Sequence, residues 1–179
     1  MRDDELIAQI RCGDEQAAQE LIKRYYTSVL RYCKWHCSNT EEAEDLTQET
    51  FFRLFKNLSQ YDEKKKFKAY LYTIANRLCI DESRKKRFYP LEDEEHIADE
   101  YSGIHRIDDK EEVDYFLRLL SSEQKEAVIL RFGEQLSYSE IAKVVGCNMR
   151  TAQSRVRNAL EIMREERRHE SAENATKNK

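Results

Sequence analysis

LSYSEIAKVVGCNMRTAQSRVRNAL, residues 136 to 160, is the stretch from which the fold can be worked out. Ser137 and Glu140 stand three apart, the spacing of a capping box, and open the short apolar run IAKVV, which Gly146 stops. Asn148 then caps a second helix, in which Ala152, Val156, Ala159, Leu160 and Met163 recur on one face while Arg150, Gln153, Ser154, Arg157 and Asn158 face outward. Two helices joined by a short Gly-containing turn have the form of a helix-turn-helix, and the outward donors crowd the first half of the second helix, where such a motif meets base edges. Between 148 and 168 there are six arginines against three glutamates, a surplus suited to a polyanion.

Working toward the N-terminus, SSEQ at 121 to 124 is another capping box, Ser121 with Gln124, opening a helix through Leu130. EEVDYFLRLL, from residue 111, supplies the first helix of this C-terminal domain, 111–168. The residues that follow, 169–179, are polar and are expected to be disordered. Upstream, residues 92 to 114 hold eleven acidic side chains against Arg106 and Lys110, so 89–110 is expected to be a flexible acidic linker.

Residues 1–88 form the other domain. A short helix over 4–12 stops at Gly13, and Asp14 caps a long helix to about Cys37 whose stripe is Ala17, Leu21, Tyr25, Val29 and Tyr32. Thr40 is expected to cap a third helix with Glu41, Glu42 and Glu44 in its first turn, as the helix dipole favours. Its Ala43, Phe51, Leu54 and Leu58 cluster at helical spacing, whereas Phe52 points the other way among Asp45, Gln48 and Lys56. An aromatic with a polar surround fits a protein-docking face as well as it fits a tolerated surface residue.

KAYLYTIANRLCIDESRKKR, residues 68 to 87, is cationic on a chain of net charge −4: nine Lys and Arg stand against three acids between 63 and 88. Phe67, Leu71, Ile74, Ala75 and Leu78 are expected to be its buried stripe, with Tyr72, Thr73, Asn76, Ser83 and Arg87 opposite and Arg77 and Arg84 flanking. Lys64, Lys65, Lys66 and Lys68 interleaved with Tyr61, Phe67, Tyr70 and Tyr72 suit unpaired strands, cations tracking phosphates and rings stacking on bases.

Composition excludes other classes. Charged residues make up 37% and only four glycines and one proline are present, which favours an all-α chain of two small helical domains. No apolar run reaches the roughly 20 residues of a membrane span, and the acidic N-terminus does not read as a signal peptide, so a cytoplasmic location is expected. Five scattered cysteines make no disulfide framework, and Cys33, His36 and Cys37 in CKWHC lack a second pair to complete a zinc site. With no Gly-rich nucleotide loop, catalytic triad or metal motif, neither catalytic residues, cofactors nor a small-molecule substrate are expected.

These motifs, in this order, resemble the bacterial RNA polymerase sigma factors of the extracytoplasmic-function group. DLTQETFFRLF at 45 to 55 is similar to that family's core-polymerase-binding helix, which puts Asp45, Gln48, Glu49 and Phe52 at the dock. FKAYLYTIANRLCIDESRKKR resembles the helix that binds the −10 promoter element, with the preceding loop, about 58 to 66, where the family captures a flipped base. The resemblance assigns Tyr61, Lys64, Lys65, Lys66, Lys68, Tyr70, Tyr72, Thr73, Asn76, Arg77, Arg84 and Arg87 to that element. Tyr70 replaces a common tryptophan, and Arg77 occupies the family's usual asparagine position with Asn76 one residue earlier. That offset, about 100° on a helix, leaves open which of the two reads a base.

The C-terminal motif resembles the family's −35 reader, with Gln153, Ser154, Arg157 and Asn158 at bases and Arg150, Thr151 and Arg155 at phosphates. The resemblance implies core RNA polymerase, duplex and melted promoter DNA, and an anti-sigma protein, often membrane-anchored, as partners. The competing readings are a stand-alone helix-turn-helix regulator of duplex operators and an adaptor that binds only proteins.

Overall fold

The computed structural model describes residues 1–62, 66–88 and 107–177, and the chain divides into two compact units, 1–100 and 101–179. Both are helical, with no strand among the described residues, as the composition requires. None of these helices is long and apolar enough to cross a membrane.

In the first unit α1 (Asp3–Arg11) carries three acids in its first turn and Arg11 in its last, matching the helix dipole. Gly13 turns the chain at φ 90°, a left-handed conformation that glycine adopts without Cβ strain. The Asp14 carboxylate accepts the Gln16 and Ala17 amides at 2.9 and 3.1 Å and starts α2 (Glu15–Lys34). The cap of α3 (Thr40–Lys56) differs from expectation: Asn39, not Thr40, is the extended residue, and its Oδ1 accepts the Glu42 amide at 2.8 Å. Asn39 stands three residues before that amide, the separation a cap needs, whereas Thr40 is already helical. A 3-10 turn (Leu58–Gln60) ends this helix pair, and α4 (Phe67–Phe88) completes the unit.

Helices α2, α3 and α4 pack on one another and α1 covers α2. Leu6, Ile7, Leu21, Val29, Tyr32, Leu54, Leu71 and Tyr72 are almost wholly removed from solvent. Thr47 and Thr50 also face inward, and each hydroxyl donates at 2.7 Å to the carbonyl four residues back, so no buried oxygen is left unmatched there.

The second unit comprises α5 (Ile107–Arg118), α6 (Ser122–Val128), α7 (Tyr138–Val145) and α8 (Met149–Lys177). Both expected capping boxes form: Ser121 with Gln124, and Ser137 with Glu140. α6 gives way earlier than expected to a π turn (Ile129–Gly133), in which the Glu134 amide reaches the Ile129 carbonyl at 3.1 Å. Gly146 ends α7 at φ 70°, and the Asn148 Oδ1 accepts the Thr151 amide at 2.8 Å to cap α8. Leu130, Leu136, Ile141, Val144, Ala152, Val156 and Ala159 form the core around which α6 and α7 meet α8.

Two boundaries are corrected. The first helix of this unit begins at Ile107 rather than 111, and α8 continues through Lys177, so the stretch from 169 expected to be disordered is helical to that point. Glu- and Arg-rich sequence without Gly or Pro offers nothing to stop a helix already nucleated by a packed first half. The proposed linker, apart from 107–110, lies outside the described residues.

Candidate functional site

Three surfaces hold the residues singled out above. On α3 the apolar face turns inward with Ala43, Phe51 and Leu54, which leaves Phe52 pointing out at 61% exposure. The Lys56 ammonium lies 5.9 Å from its ring centroid. Asp45 and Gln48 are exposed beside it, and half-buried Glu49 meets the Arg53 Nε at 2.7 Å. In water such an exposed pair contributes little to stability, so these groups are available to a partner. An open acidic concavity lined by Glu41, Glu42, Asp45 and Glu82 adjoins this face.

The second surface, on α4, departs most from expectation. Tyr72 is 0% exposed, edge-on to Tyr32 at 5.2 Å, and Asn76 is 5% exposed. Tyr61 is also buried, between Phe67 at 5.9 Å and Tyr70 at 5.0 Å. These three therefore build the interior and do not present themselves to bases. For Tyr72 and Asn76 the reason is geometric: α2 and α3 both pack on α4, so its buried arc is wider than one stripe, while Ile74, expected inside, is only half-buried.

Several cations and polar groups remain accessible on α4 and at the residue before it. Lys66, Arg77 and Arg84 are exposed, and Lys68, Tyr70 and Thr73 are half-buried. The Lys68 ammonium sits 5.9 Å from the Tyr72 ring centroid, and the Thr73 hydroxyl donates to the Ala69 carbonyl at 2.7 Å. Burial raises the Tyr70 phenol above its ordinary pKa, opposed by the nearby Arg77 charge. Of the two neighbours Asn76 and Arg77, only Arg77 faces outward. Lys64, Lys65 and the Arg87 side chain lie outside the described residues.

The third surface is the first half of α8. Arg150, Gln153, Arg157 and Asn158 are exposed, and Thr151, Ser154 and Arg155 are half-buried. An open concavity lined by Tyr138, Arg150, Gln153, Ser154, Arg157 and Arg164 runs along this face. Tyr138 and Arg164 were not singled out from the sequence. Arg164 could have been, since it lies seven residues, two turns, beyond Arg157; Tyr138 reaches the surface only through the packing of α7 on α8.

The CKWHC residues divide. Cys33 is buried and Cys37 half-buried, and a hydrogen bond with Cys79 holds the Cys33 thiol below its ordinary pKa against the opposing effect of burial. Among the described residues no three His, Cys, Asp or Glu side chains are grouped to hold a metal ion.

Similarity to known proteins follows the same division. Sigma-70 region 2 matches residues 21–89 and sigma-70 region 4 matches 110–163. The extracytoplasmic-function (ECF) RNA polymerase sigma factor SigC of Mycobacterium tuberculosis is 30% identical over 155 residues, covering 84% of this chain and 83% of its own. SigW of Bacillus subtilis, of the same group, is 26% identical over 90% of this chain and 95% of its own. Among solved structures, the sigma factor RpoE of Bartonella quintana, in complex with the anti-sigma factor NepR, aligns with a TM-score of 0.66. It is 26% identical over 82% of this chain and 94% of its own. CnrH, in complex with the cytosolic domain of CnrY, shares the fold at a TM-score of 0.69 and 21% identity, over 90% of this chain and 94% of its own.

Proposed function

Because this chain belongs to the sigma-70 family, in its extracytoplasmic-function group of RNA polymerase sigma factors, we propose the following division of labour between its two units. The first unit docks on core RNA polymerase through Asp45, Gln48, Glu49 and Phe52 of α3. Lys66 and the accessible residues of α4, Lys68, Tyr70, Thr73, Arg77 and Arg84, together with Lys64, Lys65 and Arg87, engage the −10 element as it melts. The second unit reads the −35 duplex, with Gln153, Ser154, Arg157 and Asn158 at base edges and Arg150, Thr151 and Arg155 at phosphates.

The observation that carries this reading is the pairing, in one chain, of an outward aromatic on α3 with a donor-lined face on α8. A duplex-only regulator needs the second and has no use for the first. The chain acts as a DNA-binding initiation factor: it contributes binding energy to strand opening, and polymerase performs the chemistry. Its work lies in the cytoplasm, where polymerase and promoters are. Since RpoE of Bartonella quintana, solved with the anti-sigma factor NepR, shares the fold, an anti-sigma partner is proposed here too, one that can hold the chain at the inner membrane face if it is itself anchored there.

Run-off transcription from fragmented genomic DNA, with bacterial core polymerase alone and with this protein added, tests the reading. New discrete transcripts are expected, and the Gln48→Ala/Phe52→Ala double variant should abolish them while keeping its helicity. Absence of transcripts from a protein that shifts duplex DNA unaided would favour the stand-alone regulator.

A further inference from the structure

Four aromatic rings run in sequence through the first unit. Tyr25 meets Phe67 edge-on at 5.4 Å, Phe67 meets Tyr61 at 5.9 Å, and Tyr61 lies against Tyr70 at 5.0 Å. Phe67 and Tyr61 are buried, and Tyr70, half-buried, brings the series to the surface of α4. Helix α1 holds the first ring and the backbone of the third. At the first, Asp3 accepts the Tyr25 hydroxyl at 2.5 Å and pairs with Arg24 at 2.8 Å.

At Tyr61 the Arg11 guanidinium bridges two carbonyls of a single turn. Its Nε and Nη2 donate to the Leu58 oxygen at 3.2 and 3.1 Å, and Nη2 also donates to the Tyr61 oxygen. A planar fork with several donors can hold both carbonyls at once, which an ammonium cannot do with the same orientation. Helix α1 precedes the segment, 21–89, that matches sigma-70 region 2, so the donor of this clamp lies outside the matched segment and both acceptors lie within it.

We propose that Arg11 is a positioning residue for capture of the melted −10 strand. By fixing the Leu58–Tyr61 turn it seats the Tyr61 ring beneath Tyr70 and sets the face that Tyr70 offers to an unpaired base. The inference rests on the assignment of the Tyr70 side of α4 to −10 DNA.

The test uses the full chain assembled with core polymerase and a fluorescent single-stranded oligonucleotide carrying the −10 non-template strand of a promoter mapped by run-off. Arg11→Ala should weaken this binding about tenfold, within the range that base–aromatic stacking supports. Arg11→Lys should fall between it and wild type. Affinity for core polymerase and for a −35 duplex fragment should not change. Since Arg11 acts through Tyr70, the double variant Arg11→Ala/Tyr70→Ala should bind no more weakly than Tyr70→Ala alone.

Multiplying losses in the double variant, or an equal loss of core-polymerase affinity in Arg11→Ala, would overturn the proposal in favour of a general contribution to folding. If Tyr70→Ala loses the strand while Arg11→Ala binds as wild type, the clamp falls and the −10 assignment stands. If neither variant changes binding, the assignment falls and takes the clamp with it.

Discussion

Tyr25 shows how a single side chain ties stability to pH. Burial, and then the hydrogen bond its hydroxyl gives Asp3, raise its pKa above the ordinary phenolic value of 10.0. A folded-state pKa above the unfolded one means that the stabilisation is fully present below pH 10 and is lost as pH climbs toward the folded value. Denaturant midpoints should therefore fall on the alkaline side of pH 10. Tyr25→Phe should be less stable at pH 8 by about 1 kcal/mol, the worth of one hydrogen bond, and should decline less steeply above pH 10. Parallel declines for the two proteins would show that Tyr25 is not a source of the alkaline loss.

At the level of the helix, local signals were legible and packing was not. The capping boxes at Ser121 and Ser137, the left-handed stop at Gly146 and the Asn148 cap each depend on residues a few positions apart, so the sequence alone specified them. On α8 a helical wheel correctly turned Arg150, Gln153, Arg157 and Asn158 outward, while Ser154, also expected there, is half-buried. On α4 the same wheel misassigned Tyr72 and Asn76, because how much of a helix is buried depends on how many neighbours reach it. Arg11 was illegible altogether, since its carbonyl partners lie 47 and 50 residues away.

Gly146 supplies a quantitative check on this local reading. A Cβ there meets nothing within 4 Å, so the cost of Gly146→Ala should be that of the left-handed backbone alone, about 1–2 kcal/mol. Thermal unfolding of residues 107–177 should show that loss, and Gly146→Asn should recover part of it, because asparagine tolerates this conformation. A loss far above this range would mean that the turn does more than reverse the chain.

Taken whole, the molecule is two units that each possess a core, one around Leu21, Leu54 and Leu71 and the other around Leu130, Ile141 and Val156. Each should fold when expressed alone. Circular dichroism spectra of fragments 1–88 and 107–177, weighted by length, should add to that of the full chain. A shortfall of helix in either fragment would show that its core needs the remainder of the chain.

Phe52 has a thermodynamic consequence for the whole chain. An aromatic ring held 61% exposed on a packed helix exists as a surface only in the folded chain, and any molecule that covers it there shifts the folding equilibrium by mass action. At a free concentration a hundredfold above Kd the shift is about 2.7 kcal/mol. The melting temperature of the isolated protein is thus a lower bound, and in the presence of a partner it becomes a meter of how much of the sigma factor is occupied.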